Sequence, residues 1–79
     1  MKNIIVITGG AGFVGSNLIE YFAANTNYKI LSIDNYSSGN KKNHILNKKI
    51  KYINGHTKDI NKILSHYKSN IKTIFHFGE

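Results

Sequence analysis

Apolar and polar positions divide the chain into six regular elements. Asn3-Ile4-Ile5-Val6-Ile7-Thr8 is a β-branched run without alternation. A strand buried on both faces of a parallel sheet reads this way. Four glycines follow within seven residues, at 9, 10, 12 and 15. Val14, Leu18, Tyr21 and Phe22 then recur at i, i+4, i+7 and i+8, one stripe of a helix. Asn25 is placed to cap its C-terminal end. Lys29-Ile30-Leu31-Ser32-Ile33-Asp34 is a second strand, and positions 35–47 are polar and read as loop. Ile50-Lys51-Tyr52-Ile53 is a third, shorter strand whose lysine suits an outer position. Gly55 stops it. Ile60, Ile63, Leu64 and Tyr67 form a second helical stripe, with Thr57 or Asp59 to cap its start and Asn70 to close it. Thr73-Ile74-Phe75-His76-Phe77 is a fourth strand.

Strands alternating with helices predict right-handed crossovers and a parallel α/β sheet. The expected strand order is 3-2-1-4, the N-terminal half of a doubly wound sheet. The fourth strand then exposes an edge that invites self-association.

Composition narrows the classes. Seventy-nine residues make one small domain or a piece of a larger one. At 41% hydrophobic and 19% charged, the chain is ordinary globular protein. It has no cysteine, which excludes disulfides and thiolate metal sites, and no proline. The longest apolar run, Ile4 to Ile7, is far short of a membrane span. Glycines interrupt the stretch that a signal peptide would need. A cytoplasmic, reducing location is the expectation. The net charge of +7 comes from lysine alone. Those lysines are scattered, and no arginine offers a fork to phosphate or guanine, so composition bias is preferred to a nucleic-acid partner. The four histidines show no metal-ligand spacing, and no metal is expected. His76 reads as a satisfied core histidine, and Tyr21, Phe22 and Tyr67 as core aromatics.

The chemistry lies in Thr8-Gly9-Gly10-Ala11-Gly12-Phe13-Val14-Gly15. This stretch satisfies G-x-G-x-x-G, follows a buried strand and opens a helix. Asp34 ends the next strand, nineteen residues after Gly15. That conjunction defines a dinucleotide site. Gly9 permits the sharp exit from the strand, Gly12 lets a pyrophosphate approach the backbone, and Gly15 lets the helix lie close to the sheet. Free N–H groups around Phe13 and Val14 then face the phosphates at the positive end of the helix dipole. The Asp34 carboxylate accepts from ribose hydroxyls and repels a 2′-phosphate, which favours NAD over NADP. Lys41 or Lys42 is in principle within reach of such a phosphate.

These residues, together with Ile33-Asp34-Asn35-Tyr36-Ser37-Ser38-Gly39 and Ile74-Phe75-His76-Phe77, resemble the N-terminal portion of the extended short-chain dehydrogenase/reductases. Within them the chain is most similar to the NAD-dependent nucleotide-sugar epimerases and dehydratases, of the UDP-glucose 4-epimerase type. The resemblance covers essentially the whole chain and implies a Rossmann-like fold. It implies that Gly9, Gly12, Phe13, Val14 and Gly15 hold the pyrophosphate. It places Asp34 and Asn35 on the adenosine ribose, with Tyr36, Ser37, Ser38 and Gly39 lining that side. His56 and Thr57 fall beside the adenine, His56 where the family usually has aspartate. Phe77 and Gly78 fall where the fourth strand passes under the cofactor, with Gly78-Glu79 in place of the commoner Ala-Ala or Ala-Gly. The family's catalytic tyrosine is followed four residues later by lysine. Here the residues four after Tyr21, Tyr28, Tyr36, Tyr52 and Tyr67 are Asn25, Ser32, Asn40, His56 and Ile71. The expectation is therefore a partial NAD-binding domain over 1–79 without a substrate domain or catalytic residues. A nucleotide-sugar substrate belongs to the full-length parent. A stand-alone dinucleotide-binding module, or less favourably a basic nucleic-acid binder, is the alternative.

Overall fold

The computed structural model describes residues 2–9, 11–35, 44–45, 47–55 and 59–77. Strand β1 (Ile4–Thr8) leads into helix α1 (Phe13–Asn25), then β2 (Lys29–Asp34), β3 (Ile50–Asn54), α2 (Ile60–Leu64) and β4 (Ile71–His76). The four strands form one sheet in the order β3-β2-β1-β4. All three pairings are parallel. The predicted doubly wound half-sheet is therefore present.

The unbroken apolar run of β1 is explained by its place. It lies between two strands and is buried at every position. Alternate residues feed two cores. Ile5 and Ile7 join Ile30 and Ile19 on the α1 face. Ile4 and Val6 join Leu31, Ile33 and Leu64 on the α2 face. The outer strands β3 and β4 are only partly buried, and Lys51 faces solvent as its charge requires. No helix among the described residues is long and apolar enough to cross a membrane.

Helix α1 presents a different face from the predicted stripe. Gly15 and Ile19 are its buried residues, whereas Val14 and Tyr21 are 57% and 58% exposed. One of the two buried positions is a glycine, which a hydrophobic count does not register. Leu18, Phe22 and Ala23 flank that line against the core. Phe22 reaches Phe75 of β4 with ring centroids 5.6 Å apart. Tyr21 is thus a surface residue, while Phe22 and Tyr67 do pack on the cores.

The helix ends differently as well. Asn25 is its last residue and donates from Nδ2 to the Tyr21 carbonyl, but the cap position is Thr26. The Thr26 N–H and hydroxyl both donate to the Phe22 carbonyl. A second cap arrives from far along the chain. Lys49 Nζ donates to the carbonyls of Ala23 and Thr26, each at 2.7 Å. The last turn of α1 carries no basic residue of its own. Lys49 therefore supplies the positive charge that the negative end of a helix dipole favours.

Helix α2 is shorter than its apolar stripe. Ser65 Oγ donates back to the Lys62 carbonyl, a local bond that competes with helix propagation. The chain then tightens into i to i−3 bonds, Tyr67 N–H to Leu64 and Asn70 N–H to Tyr67, ending in a 3₁₀ turn over Lys68–Asn70. Tyr67 still reaches the α2-face core. Asp59 stands at the cap position without a side-chain cap bond, and Thr57 lies outside the described residues. Strand β4 begins at Ile71 rather than Thr73. Ile4 pairs with Ile71 and Ile5 with Thr73, so Lys72 is accommodated at a register shift that sequence alternation does not reveal.

Replacing Lys49 by methionine keeps the aliphatic stem but removes both carbonyl contacts. The expected loss is about 1 kcal/mol of stability in urea unfolding. An unchanged midpoint would show that the ammonium does not cap α1.

Candidate functional site

The C-terminal ends of β1, β2 and β4 and the start of α1 converge on one crevice. Its turning point is Gly9, the only described glycine with positive φ, at 74°. A side chain there would be strained. The Gly9 N–H still bonds the Ile33 carbonyl at 2.7 Å, so the β1–β2 ladder runs up to the turn and stops there. The Gly12 N–H then closes the turn on the Gly9 carbonyl at 3.1 Å. Helix α1 starts at the next residue.

Gly12 occupies the N-cap position with φ −81°, a conformation open to any residue. Among the described residues, a Cβ built there meets only the Gly9 carbonyl, at 3.4 Å. Packing among these residues therefore does not demand glycine at 12. What a side chain would obstruct is the space in front of the helix. Glycine also provides no side-chain cap, and the first turn holds no acidic residue. The first N–H groups of a helix have no partner within it, and they carry its partial positive charge. Phe13 and Val14, at 81% and 57% exposure, flank this open end. Gly15, by contrast, is buried.

Asp34 ends β2 beside this turn and is only 9% exposed. Its Oδ2 accepts the Ala11 N–H at 3.0 Å. The carboxylate thus ties the glycine-rich turn to the neighbouring strand. Asn35, half-buried, follows it.

On the opposite flank the fully buried Thr8 joins β1 to β4. Its Oγ1 lies 2.8 Å from His76 Nδ1 and accepts the Phe77 N–H at 3.1 Å. That N–H also reaches the Thr8 carbonyl at 3.1 Å. His76 is consequently not the core residue its apolar strand suggested. It is exposed, because the face of β4 that carries Ile74 and His76 is not covered, and its partner is a side chain. Phe77, beside it, is 44% exposed.

The structure thus brings together Gly9, Gly12, Phe13, Val14, Asp34, Asn35 and Phe77 at one end of the sheet, with Gly15 behind them. Tyr36, Ser37, Ser38, Gly39, His56, Thr57 and Gly78 lie outside the described residues, as do Gly10, Lys41 and Lys42. The contacts of Asp34 with Ala11 and of Thr8 with His76 were not foreseen. Asp34 at a strand end next to a glycine turn was the available hint for the first. Among the described residues no group of three His, Cys, Asp or Glu side chains is placed to hold a metal.

A left-handed glycine turn, an uncapped helix start and a strand-end carboxylate in one crevice define the Rossmann class of dinucleotide-binding sheet. The chain belongs to the NAD dependent epimerase/dehydratase family, whose model matches residues 5–79. It is 39% identical over 56 residues to a putative UDP-glucose 4-epimerase of Methanocaldococcus jannaschii, covering 71% of this chain and 17% of that protein. It superposes on UDP-glucose 4-epimerase of Thermotoga maritima, solved with UDP-glucose, with a TM-score of 0.80 and 31% identity, over 95% of this chain and 24% of that one. It likewise superposes on dTDP-glucose 4,6-dehydratase of Bacillus anthracis, solved with NAD, with a TM-score of 0.82 and 28% identity, over 95% and 26%. The chain therefore spans about a quarter or less of the length of these relatives.

The two motif glycines should separate on substitution. Gly9→Ala should cost about 1–2 kcal/mol in chemical unfolding, because φ is positive there. Gly12→Ala should cost less, about 0.5–1 kcal/mol, the margin by which glycine exceeds alanine at an N-cap. Equal losses would contradict the assignment of different roles.

Proposed function

We propose that this chain is the NAD-binding N-terminal segment of a nucleotide-sugar epimerase or dehydratase. The observation that carries the proposal is the Gly12 helix start. It has no side-chain cap, a Cβ there would meet only the Gly9 carbonyl among the described residues, and it stands beside the strand-end carboxylate of Asp34. Backbone N–H groups of the first α1 turn receive the diphosphate. Asp34 accepts from the adenosine ribose while keeping its bond to Ala11. Its charge disfavours a 2′-phosphate, so NAD is preferred to NADP. Thr8 holds the ends of β1 and β4 together under the nicotinamide side, next to Phe77. The family membership and the NAD held by the Bacillus dehydratase support this reading.

When bound, NAD supplies the hydride acceptor for oxidation at the sugar C4 in the parent reaction. Within these residues the chain binds and orients. No tyrosine is followed four positions later by lysine, so the proton-transfer pair and the UDP- or dTDP-sugar site belong to further sequence in the parent. The same reading includes self-association. Strand β4 pairs only with β1 among the described strands and exposes Ile74 at 46%. A second copy pairing along that edge would extend the sheet.

Calorimetric titration tests the cofactor. Gly12→Val should weaken NAD at least tenfold, or about 1.4 kcal/mol, while circular dichroism stays native. Asp34→Asn, which retains an acceptor for Ala11, should narrow the preference for NAD over NADP. Wild-type affinity in both variants would refute the site. Analytical ultracentrifugation tests the edge: association rising with concentration is expected, and a monomer throughout would overturn it.

A further inference from the structure

A second concavity lies at the other end of the sheet. It has a volume of about 690 Å³ and is lined by Lys29, Lys48, Lys49 and Lys51, with His66, Tyr67 and the flanking asparagines Asn3 and Asn70. These residues sit at the amino ends of β1 and β2, at the start of β3 and just before β4. At about 3.3 Å per residue, the five-residue β1 separates this cavity from the dinucleotide crevice by roughly 15 Å.

Its charge is one-sided. The described carboxylates, Glu20, Asp34 and Asp59, are all absent from the lining. Two of the lysines are held in place. Lys49 Nζ is fixed by the Ala23 and Thr26 carbonyls, and Lys51 Nζ donates to Tyr67 Oη at 3.3 Å. Lys29 and Lys51 lie on one face of neighbouring strands, since Lys51 pairs with Leu31, two residues beyond Lys29. Like charges on adjacent strands repel. Lys49 turns its ammonium to the end of α1, so Lys29, Lys48 and Lys51, with no described carboxylate in the lining, leave a local excess that a multiply charged anion neutralises.

We infer that this cavity binds a small polyvalent oxyanion of the phosphate-chain type, at a site separate from the dinucleotide crevice. The concave shape favours a compact anion over the extended backbone of a nucleic acid. Ammonium groups serve as point charges and impose no planar geometry, so charge count and size decide which anion fits. The interaction is partly solvent-exposed and weakens with salt.

The probe is sodium tripolyphosphate, titrated into the isotope-labelled chain and followed through backbone amide shifts, against sodium chloride of equal ionic strength. Saturable shifts at Lys29, Lys51 and Asn70 are expected, and chloride should not reproduce them. Shifts at Gly12 and Val14 report the crevice and are fitted separately, so failure here leaves the cofactor reading standing. Lys29→Gln with Lys51→Gln should weaken binding at the cavity about tenfold, as expected from losing two close charge pairs. The circular dichroism spectrum and the crevice shifts should not change. Lys48→Gln, in an exposed turn, is a milder second variant with a smaller loss expected. Three results would overturn the site: no saturable shift at the three amides, equal shifts with chloride, or undiminished affinity in the folded variants. A single-stranded oligonucleotide that binds more tightly, with shifts spread to Lys62 and Lys72, would replace it with a nucleic-acid surface.

Discussion

The left-handed backbone at Gly9 is the constraint from which the rest of the crevice follows. Up to that residue β1 is an ordinary parallel strand, and its last ladder bond is the Gly9 N–H on the Ile33 carbonyl. With φ at 74° the chain leaves the sheet sharply. The turn is then held twice, by the Gly12 N–H on Gly9 and by the Ala11 N–H on Asp34. Helix α1 is thereby aimed with its N-terminus across the ends of the strands. A serine or aspartate at position 12 would cap the helix from within. Glycine leaves its amides for a ligand.

Asp34 links structure and recognition. It is nearly buried, and a buried carboxylate requires hydrogen-bond partners. The Ala11 amide meets part of that requirement before any ligand arrives. The carboxylate is therefore oriented by the same turn that opens α1. The turn and the carboxylate come from different strands yet are fixed relative to each other. Pre-organisation of this kind reduces the ordering cost of binding. The opposite end of the sheet has the reverse character, with lysines gathered and no described carboxylate among them.

Much of this was legible in the sequence because the signals are local. The non-alternating Ile4–Thr8 run identified the central strand, and the glycine spacing with Asp34 identified the crevice. Strand order followed from the alternation of elements. What stayed hidden depends on contacts between distant residues or on residues without hydrophobicity. Gly15 and Ile19 are the buried positions of α1, whereas the apolar stripe pointed to Val14 and Tyr21, which are exposed. Ser65 ends α2 early through a bond to its own preceding turn. Lys72 at a register shift concealed the start of β4. The cap that Lys49 places on α1 spans 26 residues and has no sequence signature.

The most direct measurement is a crystal structure of the chain grown with NAD. The account predicts diphosphate oxygens about 2.7–3.2 Å from the amides at the start of α1, and an adenosine ribose hydroxyl on the Asp34 carboxylate. A dinucleotide bound elsewhere, with the Gly12 helix start facing only solvent, would contradict it.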